Sequence, residues 1–136
     1  MADALMFSVV IVNRRRDRAL SPLMAQLVPG AVEGVVRQVL VVDPRPSPEV
    51  SALCEDAGAR LVVGDLEAGI RAARHDHILI LPGHIVLRSD WMARLAAFST
   101  VRRKPQWLWG QGGLVWFGPR GLATLRDGFR PGRIRF

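Results

Sequence analysis

Four short apolar runs alternate with segments of helical periodicity, and this alternation constrains the fold more than any other feature of the sequence. Each run is far shorter than the roughly 20 residues of a membrane-spanning helix. A near-continuous apolar run is typical of a strand buried on both faces, and strands that alternate with helices form a parallel sheet with right-handed crossovers. The predicted strands are Leu5–Val12, Gln38–Asp43, Arg60–Val63 and His77–Leu81.

Turn and capping residues predict where the helices begin and end. Ser and Asp are typical N-caps, and Pro is favoured just inside a helix start, whereas Gly ends helices. The first helix is predicted to end at Pro29-Gly30 and the second at Gly58, and Pro119–Asp127 is predicted to form a short helix. The predicted N-caps are Ser21, Ser47, Asp65 and Ser89.

Size and charge limit the class of protein and its partners. A chain of 136 residues, 49% of them hydrophobic, is expected to form one domain with a packed core. The net charge of +7 favours anionic partners, with a solvated basic surface as the alternative. Cys54 is the one cysteine and lies on an apolar helical stripe, which predicts a core residue in a reducing compartment. Because Met1-Ala2-Asp3 lacks the basic region of a signal peptide, a cytoplasmic location is expected.

The order in which several segments occur along the chain gives a second indication of the fold, in addition to the alternation of strands and helices. Ser8–Asn13 covers the first strand and its end, Val41-Val42-Asp43 closes the second strand, and Ala57–Val62 covers the third. His77–Trp91 follows as strand, turn and an Asp-Trp pair, and Gly110–Phe129 comes last. This order, over nearly the whole chain, resembles the family 2 glycosyltransferases, which have the GT-A fold.

The resemblance implies a compact GT-A-like (Rossmann-like) α/β fold, a three-layer sandwich with a mostly parallel central sheet. It implies a single domain over residues 1–136, in which 1–100 form a nucleotide-binding half and 101–136 form a basic, Trp-rich C-terminal part. Members of this family transfer a sugar from a nucleoside diphosphate sugar. They hold the diphosphate through a metal on an Asp-x-Asp motif and use a later acid as the base.

Four residues are candidates for contact with a nucleotide. The resemblance places Asp43 where the family contacts the base, and Asn13 and Arg15 near the expected base and ribose. Arg45 lies in the nucleotide loop, and its planar fork suits a phosphate. The residues themselves leave an alternative open, in which Asp43 simply ends a strand and Arg15 belongs to a solvated basic run.

The acidic positions of the family are changed in this chain. Pro82-Gly83-His84 stands at the Asp-x-Asp position, and Gln111 stands at the later acid. Mg²⁺ and Mn²⁺ prefer hard oxygen ligands, so we expect no metal cofactor and assign no catalytic residue. A nucleoside diphosphate sugar remains a candidate ligand. The predicted function is a glycosyltransferase-like domain, degenerate at the metal and acid positions, with weak or no metal-dependent sugar transfer.

The C-terminal part supports a second functional hypothesis. Neighbouring aromatic and Arg side chains are typical of interfaces and membrane surfaces, although some Trp side chains are needed to cover a small sheet. The alternative function is a non-catalytic scaffold subunit that binds an acidic protein or an anionic membrane surface, in an oligomer or at the inner membrane. Nucleic-acid binding has no recognised motif in its favour. The predicted surface residues are Trp107, Trp109, Trp116, Arg120, Arg133 and Arg135.

Overall fold

The computed structural model describes residues 7–13, 20–75, 77–83, 86–93, 106–110 and 113–119, with side chains described as far as residue 93. Six strands and three helices lie wholly within that part of the chain, and residues 91–93 are helical as well. The strands are β1 (Phe7–Val12), β2 (Val36–Asp43), β3 (Arg60–Val63), β4 (His77–Pro82), β5 (Gln106–Gly110) and β6 (Gly113–Pro119). The helices are α1 (Leu20–Val32), α2 (Pro48–Ala57) and α3 (Leu66–Ala72). None of the described helices is long and apolar enough to cross a membrane.

The six strands form one sheet in the order β3-β2-β1-β4-β6-β5. β1 lies between β2 and β4 and is parallel to both, and β3 extends the parallel part beyond β2. β6 pairs antiparallel with β4, and β5 pairs antiparallel with β6. The predicted fold class, an α/β fold with a mostly parallel central sheet flanked by helices, is confirmed.

The crossovers place helices on both faces of the sheet. α1 and α2 connect strands that step from β1 towards β3, so right-handed crossovers put both on one face, whereas α3 returns past β1 to β4 and covers the other face. Side chains along β1 alternate between the two layers. Val9 and Ile11 pack in the cluster that contains α1 and Cys54 of α2, and Val10 and Val12 pack with α3.

A glycine permits the close approach of α3 to the sheet. A Cβ atom at Gly69 would clash with Val42 Cγ2 and would lie 2.9 Å from Val10 Cγ1. Glycine inside a helix costs about 1 kcal/mol relative to alanine, and the packing of α3 against β1 and β2 offsets that cost. Asp65 fixes the start of the helix, because its Oδ1 accepts a hydrogen bond from Ala68 N at 3.0 Å.

The helix α1 extends past its predicted end. It runs through Pro29-Gly30 to Val32, so the prediction that Pro29-Gly30 ends the helix is wrong. Pro29 removes only one intrahelical hydrogen bond, and the buried Gly30 keeps the last turn against the core. The end comes at Gly34, whose φ is 80°, in a Schellman motif where Val35 N donates to Gly30 O at 2.9 Å.

The other helix ends follow the sequence more closely. Ser47 Oγ accepts a hydrogen bond from Val50 N at 3.2 Å, and Gly58, at a φ of 72°, ends α2. Both predictions are confirmed. Ser21, predicted as an N-cap, lies inside α1, which begins at Leu20, a difference of the size usual for helix boundaries.

The chain after residue 105 contains structure that the sequence did not indicate. β5 and β6 form an antiparallel hairpin with Gly110 opposite Gly113. Pro119 ends β6, where it pairs with His77, so the predicted helix cannot begin there. The remainder of that predicted helix, residues 120–127, lies outside the described residues.

Candidate functional site

The carboxyl ends of β1, β2 and β4 meet at one edge of the sheet. Asn13 directly follows β1, Asp43 ends β2 and Gly83 follows β4. Asn13 N donates to Val42 O at 2.9 Å, and Gly83 N donates to Val12 O at 2.9 Å, so hydrogen bonds join the three strand ends. After β1 the chain adds β2 and β3 on one side of β1, and it then crosses to the other side to form β4. The strand order therefore reverses at β1, and the carboxyl edge at such a topological switch point is where ligands usually bind in parallel α/β sheets.

A buried hydrogen-bonded pair occupies the switch point. Asn13 Nδ2 donates to Asp43 Oδ2 at 2.9 Å, and Arg45 N donates to Asp43 Oδ1 at 2.9 Å. Asn13 is 4% exposed and Asp43 is 8% exposed. Both carboxylate oxygens of Asp43 therefore already accept a hydrogen bond from the protein, and two neighbouring segments hold the side chain in place.

The other end of the Asn13 amide has no such partner. Within the described residues nothing donates to Asn13 Oδ1, and the atom is buried from solvent. A buried acceptor without a donor costs about 1–3 kcal/mol. A Cβ atom on Gly83 would come within 3.1 Å of this oxygen, so the close packing of Gly83 against Asn13 leaves little room for a side chain. An unsatisfied acceptor thus lies between the carboxyl ends of β1 and β4.

The predicted nucleotide residues are brought together in part. Asn13 and Asp43 are in direct contact. Arg45 is adjacent, but it contacts Asp43 through its backbone N–H, and its side chain is exposed. Sequence reasoning missed this backbone contact. The one available signal was that an Asp side chain often accepts a hydrogen bond from the backbone N–H two residues further on. Arg15 lies outside the described residues.

The segment that the sequence predicts to take the Asp-x-Asp position, Pro82-Gly83-His84, is described in part. Pro82 ends β4 opposite Val12, and Gly83 is buried against Asn13. His84 lies outside the described residues, and so does Gln111. The structure thus shows Gly83 in close contact with Asn13, which the motif comparison did not indicate.

The predicted interaction surface stays a prediction. Trp107 in β5 stands directly opposite Trp116 in β6 in the strand register, and Trp109 is two residues further along β5. Their side chains are not among those described. The three arginines of that surface also lie outside the described residues: Arg120, Arg133 and Arg135.

Cys54 lies beneath this edge of the sheet, on α2. It is 2% exposed, which confirms the prediction that it is a core residue. Burial raises the pKa of its thiol, and the negative charge of Asp43 raises it further. The thiol is therefore kept protonated and is poorly suited to act as a nucleophile.

Gln26 of α1 fixes the segment that follows the turn after β4. Its Nε2 donates to Leu87 O at 3.0 Å, and its Oε1 accepts from Leu87 N at 2.9 Å. Trp91 packs over Gly30 in the same helix, where an added Cβ would come within 2.6 Å of the indole. Sequence reasoning missed this connection, because nothing in the periodicity of α1 distinguishes a Gln that binds another segment from an exposed one.

A second polar group lies at the opposite end of β1. Ser8 Oγ donates to Gln38 Oε1 at 2.9 Å and accepts from His75 N at 3.2 Å, and His75 Nδ1 lies 2.9 Å from the same hydroxyl. The ring of His77 makes an edge contact with Phe7, with centroids 5.9 Å apart. These contacts join β1, β2 and the start of β4 at the amino edge, remote from the switch point.

The described residues do not by themselves make up a metal site. They contain no group of three or more His, Cys, Asp and Glu side chains that could share an ion. Asp43 and Asn13 carry oxygen atoms of the type that Mg²⁺ and Mn²⁺ prefer. However, both Asp43 oxygens already accept protein hydrogen bonds.

The architecture is that of the GT-A glycosyltransferases. No protein-family model and no curated protein matches the sequence. Solved structures share the fold at low identity, and three of them illustrate the likeness. Glucosyl-3-phosphoglycerate synthase from Mycobacterium tuberculosis, in complex with Mn²⁺, UDP and phosphoglyceric acid, has a TM-score of 0.68 at 15% identity, over 88% of this chain and 57% of that one.

The two other structures extend the likeness. Mannosyl-3-phosphoglycerate synthase from Rubrobacter xylanophilus has a TM-score of 0.58 at 13% identity, over 74% of this chain and 39% of that one. S. aureus TarS, residues 1–349, has a TM-score of 0.54 at 12% identity, over 96% of this chain and 52% of that one. The chain thus spans between 39% and 57% of the length of these three structures.

The solved structures correct one expectation. Three structures of the M. tuberculosis enzyme contain Mn²⁺ together with UDP or UDP-glucose. The expectation that Mg²⁺ and Mn²⁺ take no part, which we drew from the loss of the Asp-x-Asp acids, is therefore contradicted for this fold. The physical reason is that a diphosphate itself supplies oxygen ligands, so a cation of this kind relies on few protein carboxylates.

Proposed function

We propose that this chain is a GT-A-like glycosyltransferase domain, acting as one domain over residues 1–136, that binds a nucleoside diphosphate sugar at the carboxyl edge of its sheet. The observation that carries the proposal is the buried Asn13–Asp43 pair at the switch point, with one unsatisfied acceptor. The presence of UDP in solved structures of the same fold supports it.

The described residues suggest how such a ligand is held. Asn13 and Asp43 form a buried polar pair for the nucleoside, Gly83 packs closely against Asn13, and Gln26 holds the segment that follows β4. In the family that the sequence resembles, a bound divalent cation offsets the charge of the leaving diphosphate. Here the chain's own contribution is to bind and orient the nucleoside.

We further propose that sugar transfer by this chain is slow or absent. The hydroxyl of the acceptor needs a base within hydrogen-bond reach. Gln111, whose amide is not a base, stands where the family that the sequence resembles has an acid. Pro82-Gly83-His84 likewise replaces two acids. The site then acts mainly in binding.

The test is calorimetric titration with UDP and GDP in a buffer that contains Mn²⁺, with a parallel series in EDTA. UDP is expected to bind, and Asp43→Ala is expected to weaken binding by about tenfold or more, because Asn13 and the Arg45 N–H lose their shared acceptor. Asp56→Ala, which removes an exposed carboxylate from α2, is the matched control and should bind as the wild type does.

Two outcomes bear on the alternatives. If the wild type binds no nucleoside diphosphate in either buffer, nucleotide binding is excluded, and the remaining hypothesis is a non-catalytic scaffold. Purification from the native source would then test the scaffold, which requires a co-purifying partner. If UDP binds and UDP-glucose is transferred at rates typical of enzymes, with turnover of about 1 s⁻¹ or faster, the proposal of slow transfer is wrong.

A further inference from the structure

The outer side of α1 lacks the charges that a surface helix usually has. A helix on the surface of a globular protein buries one apolar side and typically presents charged and polar side chains on the other. Among the 13 residues of Leu20–Val32 there is no Asp, Glu, Lys, Arg or His. The exposed side chains of α1 are therefore as uncharged as its buried ones, which are Leu20, Leu23, Met24, Leu27 and Gly30.

Four exposed positions of α1 lie along one line, which we name the outer stripe: Ser21, Ala25, Val28 and Val32. Their spacing of four, three and four residues places side chains on one side of a helix, as in helices that pack against another helix. Val28 is 56% exposed and Val32 is 80% exposed. They are two of the four large hydrophobic side chains that are exposed in the described part of the chain.

The outer stripe is complementary in size to a reversed copy of itself. Its first half has the small side chains of Ser21 and Ala25, and its second half has the larger ones of Val28 and Val32. In an antiparallel pair about a two-fold axis, position 21 faces position 32 of the second copy, and position 25 faces position 28. Each small side chain then meets a large one, which is the arrangement that lets two layers interdigitate. A parallel pair would instead set valine against valine.

The charge of the chain indicates which partner fits the outer stripe. Because the net charge is +7, most contacts between two copies would bring like charges together. Two copies that meet at the uncharged α1 avoid that repulsion. An acidic protein or an anionic membrane surface would need basic side chains, which α1 does not have. We propose that α1 is the interface of a homodimer, in which the outer stripes of two copies pack antiparallel about a two-fold axis.

The size of the helix predicts a weak and reversible dimer. At a rise of about 1.5 Å per residue, the 13 residues of α1 extend over about 20 Å. Two helices of this length in contact cover less than the roughly 800 Å² per partner that is usual for a stable complex. Monomer and dimer should therefore exchange, in proportions that depend on the protein concentration. The dimer does not require a bound nucleotide.

Sedimentation velocity on the full chain, without nucleotide, tests the proposal. The mean mass is expected to rise from that of one chain towards that of two between about 5 and 500 µM. Val32→Lys should weaken association about tenfold or more, because each copy would bury an unpaired charge against the other. Val63→Lys is the matched control, since Val63 is 66% exposed on β3 and the substitution adds the same charge. It should associate as the wild type does.

Disulfide formation tests the antiparallel register. In the proposed dimer the two copies of position 21 lie 11 positions apart along the helix axis, from 21 to 32, which is about 16 Å. A disulfide needs Cα atoms within about 7 Å. A mixture of Ser21→Cys and Val32→Cys chains should therefore cross-link under mild oxidation, whereas Ser21→Cys alone should not. The native Cys54 is buried and does not compete.

The contrary results are distinct from one another. A chain that stays monomeric at all concentrations would overturn the proposal, and a lowered thermal midpoint in Val32→Lys would then show that another part of the same chain covers the outer stripe. A dimer that Val32→Lys leaves intact, or that Val63→Lys weakens equally, would also overturn it. Cross-linking of Ser21→Cys alone would overturn the antiparallel arrangement. The binding of UDP is tested separately by calorimetry, so the proposed function stands or fails independently.

Discussion

At the scale of single residues, the carboxylate of Asp43 influences its surroundings in two ways. It orders the polar pair at the switch point through Asn13, and it disfavours a second negative charge on the buried Cys54 thiol nearby. Burial is the larger cause of the raised thiol pKa. The same charge that orders the pair at the switch point therefore adds to the effect of burial on the thiol.

The pH dependence of stability should reveal this effect. The pKa of Cys54 in the folded chain is raised above the ordinary value of 9.0. Below about pH 9 both folded and unfolded chains keep the proton, and the contribution of Cys54 to stability is fully present. Above it the unfolded chain loses its proton first, so stability falls as the pH rises towards the folded-state pKa. The thermal midpoint should therefore fall more between pH 8 and pH 10 in the wild type than in Cys54→Ala.

The composition makes this measurement clean. The chain has no tyrosine, and Lys104 is its one lysine, so few other side chains titrate in that range. The comparison uses the slope with pH rather than the absolute midpoint, because removal of the buried sulfur also leaves a small cavity. Parallel slopes for the two proteins would contradict the raised thiol pKa.

At the scale of elements, α1 does more than connect two strands. Its inner face packs on the sheet through Leu23 and Leu27, and its C-terminal half carries Gln26 and Gly30, which hold residues 86–93. The position of the segment after the Pro82-Gly83 turn thus depends on a helix that precedes it by more than 50 positions. The geometry near the proposed ligand is a property of this pair of elements.

Removal of the Gln26 side chain should loosen that segment locally. In Gln26→Ala the Leu87 N–H and C=O both lose their partner, at a cost of about 1–3 kcal/mol. Amide hydrogen exchange should accelerate in residues 86–93, while β1 and β2 keep their protection. Ser21→Ala, which removes an exposed hydroxyl from the same helix, is the control and should leave exchange unchanged. Unaltered exchange at Leu87 in Gln26→Ala would show that the two hydrogen bonds contribute nothing.

At the scale of the whole molecule, the sheet order concentrates the site on the central strands. β1 has β2 on one side and β4 on the other, and residues from the ends of all three contact one another at the switch point. A ligand bound there would contact three central strands that are hydrogen-bonded to one another. Its binding free energy should therefore appear as global stability.

Denaturation in the presence of UDP tests this coupling. A ligand that binds only the folded chain, at a hundredfold excess over its Kd, adds about 2.7 kcal/mol to the free energy of unfolding. With Mn²⁺ present throughout, UDP should shift the denaturant midpoint of the wild type by the corresponding amount. Asp43→Ala, with a Kd about tenfold higher, should gain only about 1.4 kcal/mol at the same UDP concentration, roughly half the wild-type shift. A wild-type protein that binds UDP by calorimetry without a shift in its midpoint would place the binding site outside the cooperatively folded sheet.

The parallel half of the sheet was predictable because its signal is local. The apolar runs that end at Val12, Asp43 and Val63 have the length and composition of buried strands, and the caps at Ser47 and Asp65 follow from side-chain chemistry within three residues. The order of the motifs indicated which strand ends matter. The sequence alone therefore indicated Asn13 and Asp43 as candidate nucleotide-binding residues.

The remainder depends on contacts between residues distant in the sequence. The continuation of α1 past Pro29 is stabilised by packing of its last turn, which no local rule contains. Gly83 approaches Asn13 only when two strand ends that are 70 positions apart in the sequence come together. The hydrogen bonds between Gln26 and Leu87 likewise join residues that are 61 positions apart. The hairpin of β5 and β6 was missed because its Trp and Gly residues lack the polar alternation by which strands are recognised.

The close packing of α3 against the sheet limits which substitutions this sequence can accept. Gly69, Val42 and Val10 fill one shared volume, in which a Cβ at position 69 already overlaps its neighbours. A larger residue at 69 requires at least a smaller side chain at position 42, whose Cγ2 is the nearest atom, and more room beside Val10 as well. We therefore expect a side chain at position 69 to be tolerated only together with a compensating reduction in volume at its neighbours.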